Sequence, residues 1–417
     1  MSTAGWYILS HTINPPDAMQ AVALLRNPVP DVAGVARALN QRLDVIGSRW
    51  RFVPEPDTDS HTRVTPLALT YPSAEPWNQP VNGVGSLLDL LTEAGLTAAA
   101  DPALLGSPAY KPGALTRGDF NRVPVSVVVD QPPPRRPAEA LAGVRRPVVA
   151  LLDTAVQTHP WLGPPDTDLT GDGYWVDARR MGWHPGTRLP ENGPVTGQLA
   201  RELGEQEGHG TFSAGLIRQV APDARVLAVH VVDDTGRVYG DHVLNGIGWL
   251  QDSAGLVEGD VICVPVGFQP VLPTDVTYLE WLGEVLGELG ERGVRVVAAA
   301  GNDGGDDRVY PAAFATADKR PREPLVSVGA ANPNGRSHAS YSNYGDWVTV
   351  WAVGTSVVST FPAVNGAARA ELAPGGDRES ADPDDFTGGF ARWSGTSFAA
   401  AIHAGRLAQK KLESLLA

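Results

Sequence analysis

Val148-Val149-Ala150-Leu151-Leu152-Asp153 is an apolar run that stops on a carboxylate. It is too short for a buried helix and lacks polar alternation, so it reads as a strand covered on both faces. Working outward, similar runs occur at 226–232, 261–266 and 294–300, the last after a helical stretch over 277–290. Strands of this kind alternating with helices predict an α/β fold: a three-layer sandwich with a mostly parallel central sheet. Reactive groups in such sheets collect at the carboxyl ends of strands. Asp153 and Asn302 both fall where an apolar run ends.

Four short, glycine-punctuated motifs follow one another along the chain: Leu152-Asp153-Thr154, Gly208-His209-Gly210-Thr211, Ala300-Gly301-Asn302 and Ser394-Gly395-Thr396-Ser397. Each has a bland reading. An Asp after a strand often caps a turn, a His at a helix start caps the helix, and a Ser before a small-residue helix does the same. Their conjunction is more specific. Acyl transfer needs a nucleophile, a base, an orienter of that base and a donor for the developing oxyanion, and these four side chains supply them. The helix expected after Gly395 would put the Ser397 hydroxyl and backbone N–H at a positive helix end.

These motifs resemble the subtilisin-like serine peptidases, or subtilases, over roughly residues 147–411. The resemblance extends to Ala299-Ala300-Gly301-Asn302-Asp303-Gly304, Tyr310-Pro311-Ala312 and Trp351-Ala352-Val353-Gly354. It implies Asp153, His209 and Ser397 as a catalytic triad and Asn302 as the side-chain oxyanion donor, hydrolysing peptide bonds through an acyl-enzyme. It further implies that Val264, Pro265, Val266 and Gly267 form an edge strand pairing with an extended substrate, and that Ala299, Ala300 and Gly301 overlie a pocket for an apolar side chain. Two positions depart from the family pattern. Asp153-Thr154-Ala155 stands for Asp-Thr-Gly, and Ala401 for the usual proline after the nucleophile, though neither change removes a reacting atom. Pro265 has no N–H to give a paired substrate. A serine-carboxyl peptidase would use Glu in place of His, against which the His209 motif argues. The alternative from another class is a silent scaffold that binds extended segments.

With 33 basic and 47 acidic residues, a net charge of −14, the chain lacks the basic surplus that a nucleic-acid partner requires. One cysteine, Cys263, excludes an intramolecular disulfide. No apolar run of membrane-spanning length and no secretory leader pattern is found, so the expected location is cytoplasmic, without membrane association. The expected partners are a protein or peptide substrate and a regulatory protein. No cofactor is needed for such catalysis. Residues 166–173 resemble a calcium loop, with Thr170 and Asp177 poor matches at two ligand positions, and read better as a solvated Asp/Gly turn. His184, His230, His242, His338 and His403 lack metal-ligand spacing.

The expected organisation is an N-terminal α+β region at 1–130, a Pro/Arg-rich linker at 131–146 and a peptidase domain at 147–417. Within the first region the pattern predicts a strand over 6–11, helices over 17–26, 31–46 and 86–94, and a strand over 123–129. This region is either a pro-segment, with Arg135-Arg136 or Arg145-Arg146 as processing sites, or a docking domain. Residues 363–390 read as a polar excursion before the nucleophile, a candidate lid.

Overall fold

The computed structural model describes residues 19–26, 31–45, 51–54, 64–71, 90–92, 94–96, 98–100, 122–127, 131–184, 197–198, 203–233, 236, 238–270, 275–316, 325–372, 376 and 378–417. In chain order the N-terminal part contributes β1 (Met19–Arg26), α1 (Val32–Val45), β2 (Arg51–Pro54), β3 (Val64–Tyr71), β4 (Ala98–Ala100) and β5 (Val123–Pro124). Then come β6 (Val148–Asp153), β7 (Trp175–Asp177), β8 (Gly197–Gln198), α2 (His209–Val220), β9 (Arg225–His230), α3 (Gly240–Asp252), β10 (Val261–Val264), α4 (Asp275–Glu291) and β11 (Arg295–Ala299). The chain closes with β12 (Val326–Ala331), β13 (Val350–Val353), β14 (Val357–Thr360), β15 (Val364–Asn365), β16 (Phe390–Trp393) and α5 (Thr396–Leu416).

Seven strands form the central sheet in the order β13-β12-β11-β10-β6-β9-β7, and every pairing is parallel. The period of two along β6 divides its side chains between two cores. Val148, Ala150 and Leu152 pack with Tyr278, Trp281 and Leu282 of α4, whereas Val149 and Leu151 pack with Phe212 of α2 and Phe398 of α5. Helices on both faces make the three-layer sandwich expected from the apolar strands.

The N-terminal residues form a four-stranded sheet, β2-β3-β1-β4, with antiparallel pairings throughout. Residues 19–26 are therefore a strand where a helix over 17–26 was expected. Pairing with β3 on one side and β4 on the other overrides the helix preference of Met-Gln-Ala-Val-Ala-Leu-Leu-Arg. The expected strand over 6–11 lies outside the described residues. This sheet rests on α3 and α4. Asn245 of α3 both accepts from and donates to the Val64 backbone, at 3.0 and 3.2 Å, and Arg26 meets Glu284 of α4 at 2.5 Å.

Residues 131–146 are bolted to the sandwich. Arg136 pairs with the buried carboxylate of Asp223 at 2.7 Å, and Arg145 grips the buried Asp260 through both guanidinium ends at 2.8 Å. Arg135 and Arg146 donate to the Asp172 and Asp223 carbonyls. Both arginine pairs thus anchor this stretch to the sandwich. The excursion at 363–390 is anchored too: Phe386 packs on Phe361, ring centroids 4.3 Å apart and tilted, and its N–H donates to the Val364 carbonyl.

Candidate active site

Asp153 ends β6, and the chain turns at once, with the Thr154 N–H donating to the Asp153 carboxylate at 2.6 Å. His209 opens α2. Gly208 precedes it at φ +82°, a conformation that favours glycine, and Gly210 lies so close to the carbonyl of Thr154 that a Cβ there would meet it at 2.2 Å. The two glycines bring the helix start against the end of β6. His209 Nδ1 then sits 2.7 and 2.9 Å from the two Asp153 oxygens. Because Nδ1–H donates to the carboxylate, Nε2 is left as the basic nitrogen. Nε2 is buried and finds no hydrogen-bond partner among the described residues. Trp393 lies edge-on to the imidazole at 5.5 Å and Phe398 packs on it at 4.9 Å, so the ring is fixed and shielded from water.

Ser397 is the second residue of α5. Its hydroxyl donates to the Pro265 carbonyl at 2.7 Å. Asn302 follows β11 and is oriented from behind: its Oδ1 accepts from the Thr396 backbone N–H and hydroxyl, both at 2.9 Å. The Thr396 hydroxyl in turn accepts from Gly301 N–H at 3.1 Å. Anchoring the amide oxygen makes Nδ2 the end turned from Thr396. Asp153, His209 and Ser397 are all buried, the latter two at 0% exposure.

Ala299 ends β11, and Ala300 donates to Val328 of β12, so this stretch belongs to the sheet's carboxyl rim. The stretch expected to pair with substrate, Val264–Gly267, begins inside the sheet and leaves it. Val264 ends β10, which lies inside the sheet between β6 and β11; Pro265, Val266 and Gly267 run on past it. The missing Pro265 N–H matters less than the sequence suggests, because its carbonyl is the group facing Ser397. Ala155 avoids the left-handed backbone region, so it fits where the family has glycine.

Burial and the nearby Asp153 carboxylate push the Cys263 thiol well up, which keeps it protonated and inert. The loop at 166–173 is solvent-exposed on its outer side, with Asp168, Thr170 and Asp172 exposed, as expected of an Asp/Gly turn, and is held from within by an arginine. Arg225, almost fully buried, places its guanidinium among Asp166 Oδ2 at 2.5 Å and the carbonyls of Asp168 and Gly171. Among the described residues no cluster of three His, Cys, Asp or Glu side chains is arranged for a metal ion, and no helix is long and apolar enough to cross a membrane. Sequence reasoning missed Thr396 as the holder of Asn302 and Trp393 as the wall of His209. Both lie within five residues of Ser397 in the chain. Only their long-range contacts reveal these roles.

A family model described as the subtilase family matches residues 145–413. The chain belongs to the subtilase family. This subtilase is 31% identical over 223 residues to subtilisin BL of Lederbergia lenta, covering 51% of the chain and 66% of that protein. It is 30% identical to the alkaline protease of Alkalihalobacillus alcalophilus, over 51% of the chain and 47% of that protein. With thermitase of Thermoactinomyces vulgaris it shares 30% over 225 residues, 51% of the chain and 65% of that protein. The match therefore spans less than two thirds of each relative's length. Among solved structures, a cold adapted subtilisin-like serine proteinase aligns at 22% identity and a TM-score of 0.41, over 62% of this chain and 72% of that one. A lanthipeptide protease aligns at 22% and 0.43, over 62% and 71%.

Proposed function

We propose that this subtilase is a serine endopeptidase working through an acyl-enzyme. His209 takes the Ser397 proton as the oxygen attacks and returns it to the leaving amine, while Asp153 holds the imidazole tautomer and stabilises the imidazolium. Asn302 Nδ2 and the Ser397 N–H receive the oxyanion. An extended substrate lies along Val264–Gly267, with a side chain in a pocket beneath Ala299, Ala300 and Gly301. The chemistry itself requires no cofactor. The observation that carries the reading is the Asp153–His209 pair: a tautomer-fixed imidazole whose basic nitrogen is unsatisfied, with Phe398, the residue after Ser397, packed on its ring.

The reading is tested by labelling the purified full chain with a fluorophosphonate, alongside Ser397→Ala and His209→Ala. Labelling lost in both variants is the expected result. Labelling that survives Ser397→Ala would remove the assignment. A second reading, a scaffold that holds extended segments without turnover, is favoured by one observation: His209 and Ser397 are fully buried in the whole chain. A chain beginning at Gln131 keeps the anchored arginines and separates the two. Labelling of the shorter chain alone makes the N-terminal region an intramolecular inhibitor; absence of labelling in both supports the scaffold.

A further inference from the structure

A second built site flanks His209. Arg122, just before β5, donates through Nη1 to the Glu205 carbonyl at 2.6 Å and through Nη2 to the Gly204 carbonyl at 2.7 Å. The same guanidinium lies 5.5 Å from the Trp393 ring and 5.7 Å from the Phe361 ring. Two carbonyl dipoles and two aromatic faces converge on one cation. That arrangement suits the planar fork of arginine, whose N–H groups bond in its plane while its faces meet rings. Both rings also border the catalytic histidine. Trp393 is edge-on to the His209 imidazole, and a Cβ on neighbouring Gly208 would meet Phe361 at 2.5 Å.

The backbone after Arg122 is held as a peptide ligand would be. Val123 and Pro124 pair antiparallel with Arg392 and Ala391 of β16, and Val125 N–H donates to Phe390 at 3.3 Å. An extended segment with arginine at its head is therefore added to the exposed side of β16, main-chain bonds giving affinity and the cage giving selectivity.

We propose that the cage of Gly204, Glu205, Phe361 and Trp393 is a recognition site for an arginine side chain on the leaving-group side of an extended peptide substrate, and that Arg122 fills it in cis. The side follows from the neighbours. The acyl half of a substrate belongs with Pro265 and Asn302, next to Ser397, whereas the cage backs onto His209, which returns the proton to the departing amine. The assignment of sides rests on the peptidase reading above; the cage itself does not need turnover.

The test therefore measures binding. The full chain carrying Ser397→Ala, with and without Arg122→Gln, is titrated with a fluorescein-labelled Gly-Arg dipeptide amide, which needs the cage and not the β16 edge that residues 123–125 still occupy, and with the same peptide carrying citrulline, a neutral isostere of arginine. With Arg122→Gln, the arginine peptide is expected to bind about tenfold or more tighter than the citrulline peptide, since a charge-assisted fork is lost. With Arg122 present, binding weakens, because a tethered competitor acts at an effective concentration on the order of mM. Equal binding of the two peptides to the Arg122→Gln chain, or none of either, overturns the proposal. Arg122→Lys, which keeps the charge but loses the fork, provides a second variant with the same readout. Fluorophosphonate labelling of the parent is scored separately: a chain that discriminates the peptides yet never reacts keeps the cage and loses the peptidase.

Discussion

Thr396→Val separates the orientation of Asn302 from its presence. Valine keeps the shape of threonine and deletes one hydroxyl, which in this chain has two duties: it donates to Asn302 Oδ1 at 2.9 Å and accepts from Gly301 N–H at 3.1 Å. The Thr396 backbone N–H still holds the same oxygen at 2.9 Å, so the amide is loosened and not released. A neutral hydrogen bond contributes about 1 kcal/mol net, so kcat should fall roughly fivefold to tenfold, with KM nearly unchanged. Asn302→Ala removes the donor itself; in subtilisin the loss of the side-chain oxyanion donor costs about 10²–10³ in kcat. Steady-state kinetics on a chromogenic peptide, combined as a double-mutant cycle, make the comparison. Thr396→Val should cost almost nothing in kcat once Asn302 is alanine, and Thr396→Ser should restore the parent rate. If Thr396→Val costs the same factor in both backgrounds, or acts on KM alone, Thr396 does not work through Asn302.

Other outcomes follow from the anchors and the buried histidines. Asp260 is buried and accepts from both ends of Arg145 and from the Val148 and Val257 backbone, so Asp260→Ala should cost about 3–5 kcal/mol in urea unfolding. Because Arg225 holds the 166–173 loop from within, Arg225→Met should lower Tm and added calcium should fail to restore it. Burial lowers His159 from 6.5 to about 4, and burial with the Arg179 charge lowers His230 to about 3. With folded values below unfolded ones, the unfolded chain gains protons first, so stability is full above about pH 6.5 and declines on acidification toward 4 and then 3. A Tm series across that window checks the sign, and His159→Gln should flatten its upper part.

The sandwich was legible because its strands are apolar on both faces and end on reactive residues: Asp153 closes β6, and Asn302 follows β11 after a short turn. The motifs around His209 and Ser397 were legible because glycines mark where backbones approach. What stayed hidden depends on distant partners. Residues 19–26 carry helix-forming side chains and form a strand only because β3 and β4 flank them. The solvated Asp/Gly loop is also tied from within by an arginine 59 positions from Asp166. The two arginine pairs are clamped by carboxylates and carbonyls farther along the chain. Local patterns carry the period of an element and the chemistry of a motif, but no account of which buried charge a loop will meet.

The resting positions of Ser397 and Pro265 suggest how a substrate completes the site. The Ser397 hydroxyl donates to Pro265, while His209 Nε2 has no partner among the described residues. In the proposed mechanism, a substrate N–H that takes the Pro265 carbonyl displaces the serine proton, which then turns to the imidazole. The exchange is nearly neutral in hydrogen bonds, yet it places the proton where the base can remove it. N-methylation of the substrate residue that donates to Pro265 should then lower kcat as well as raise KM, because the serine keeps its resting partner. The fall expected from about 1 kcal/mol is roughly fivefold, measured under saturating substrate. An N-methylated peptide with the parent kcat and only a higher KM would mean that the hydroxyl turns to His209 without the substrate's help.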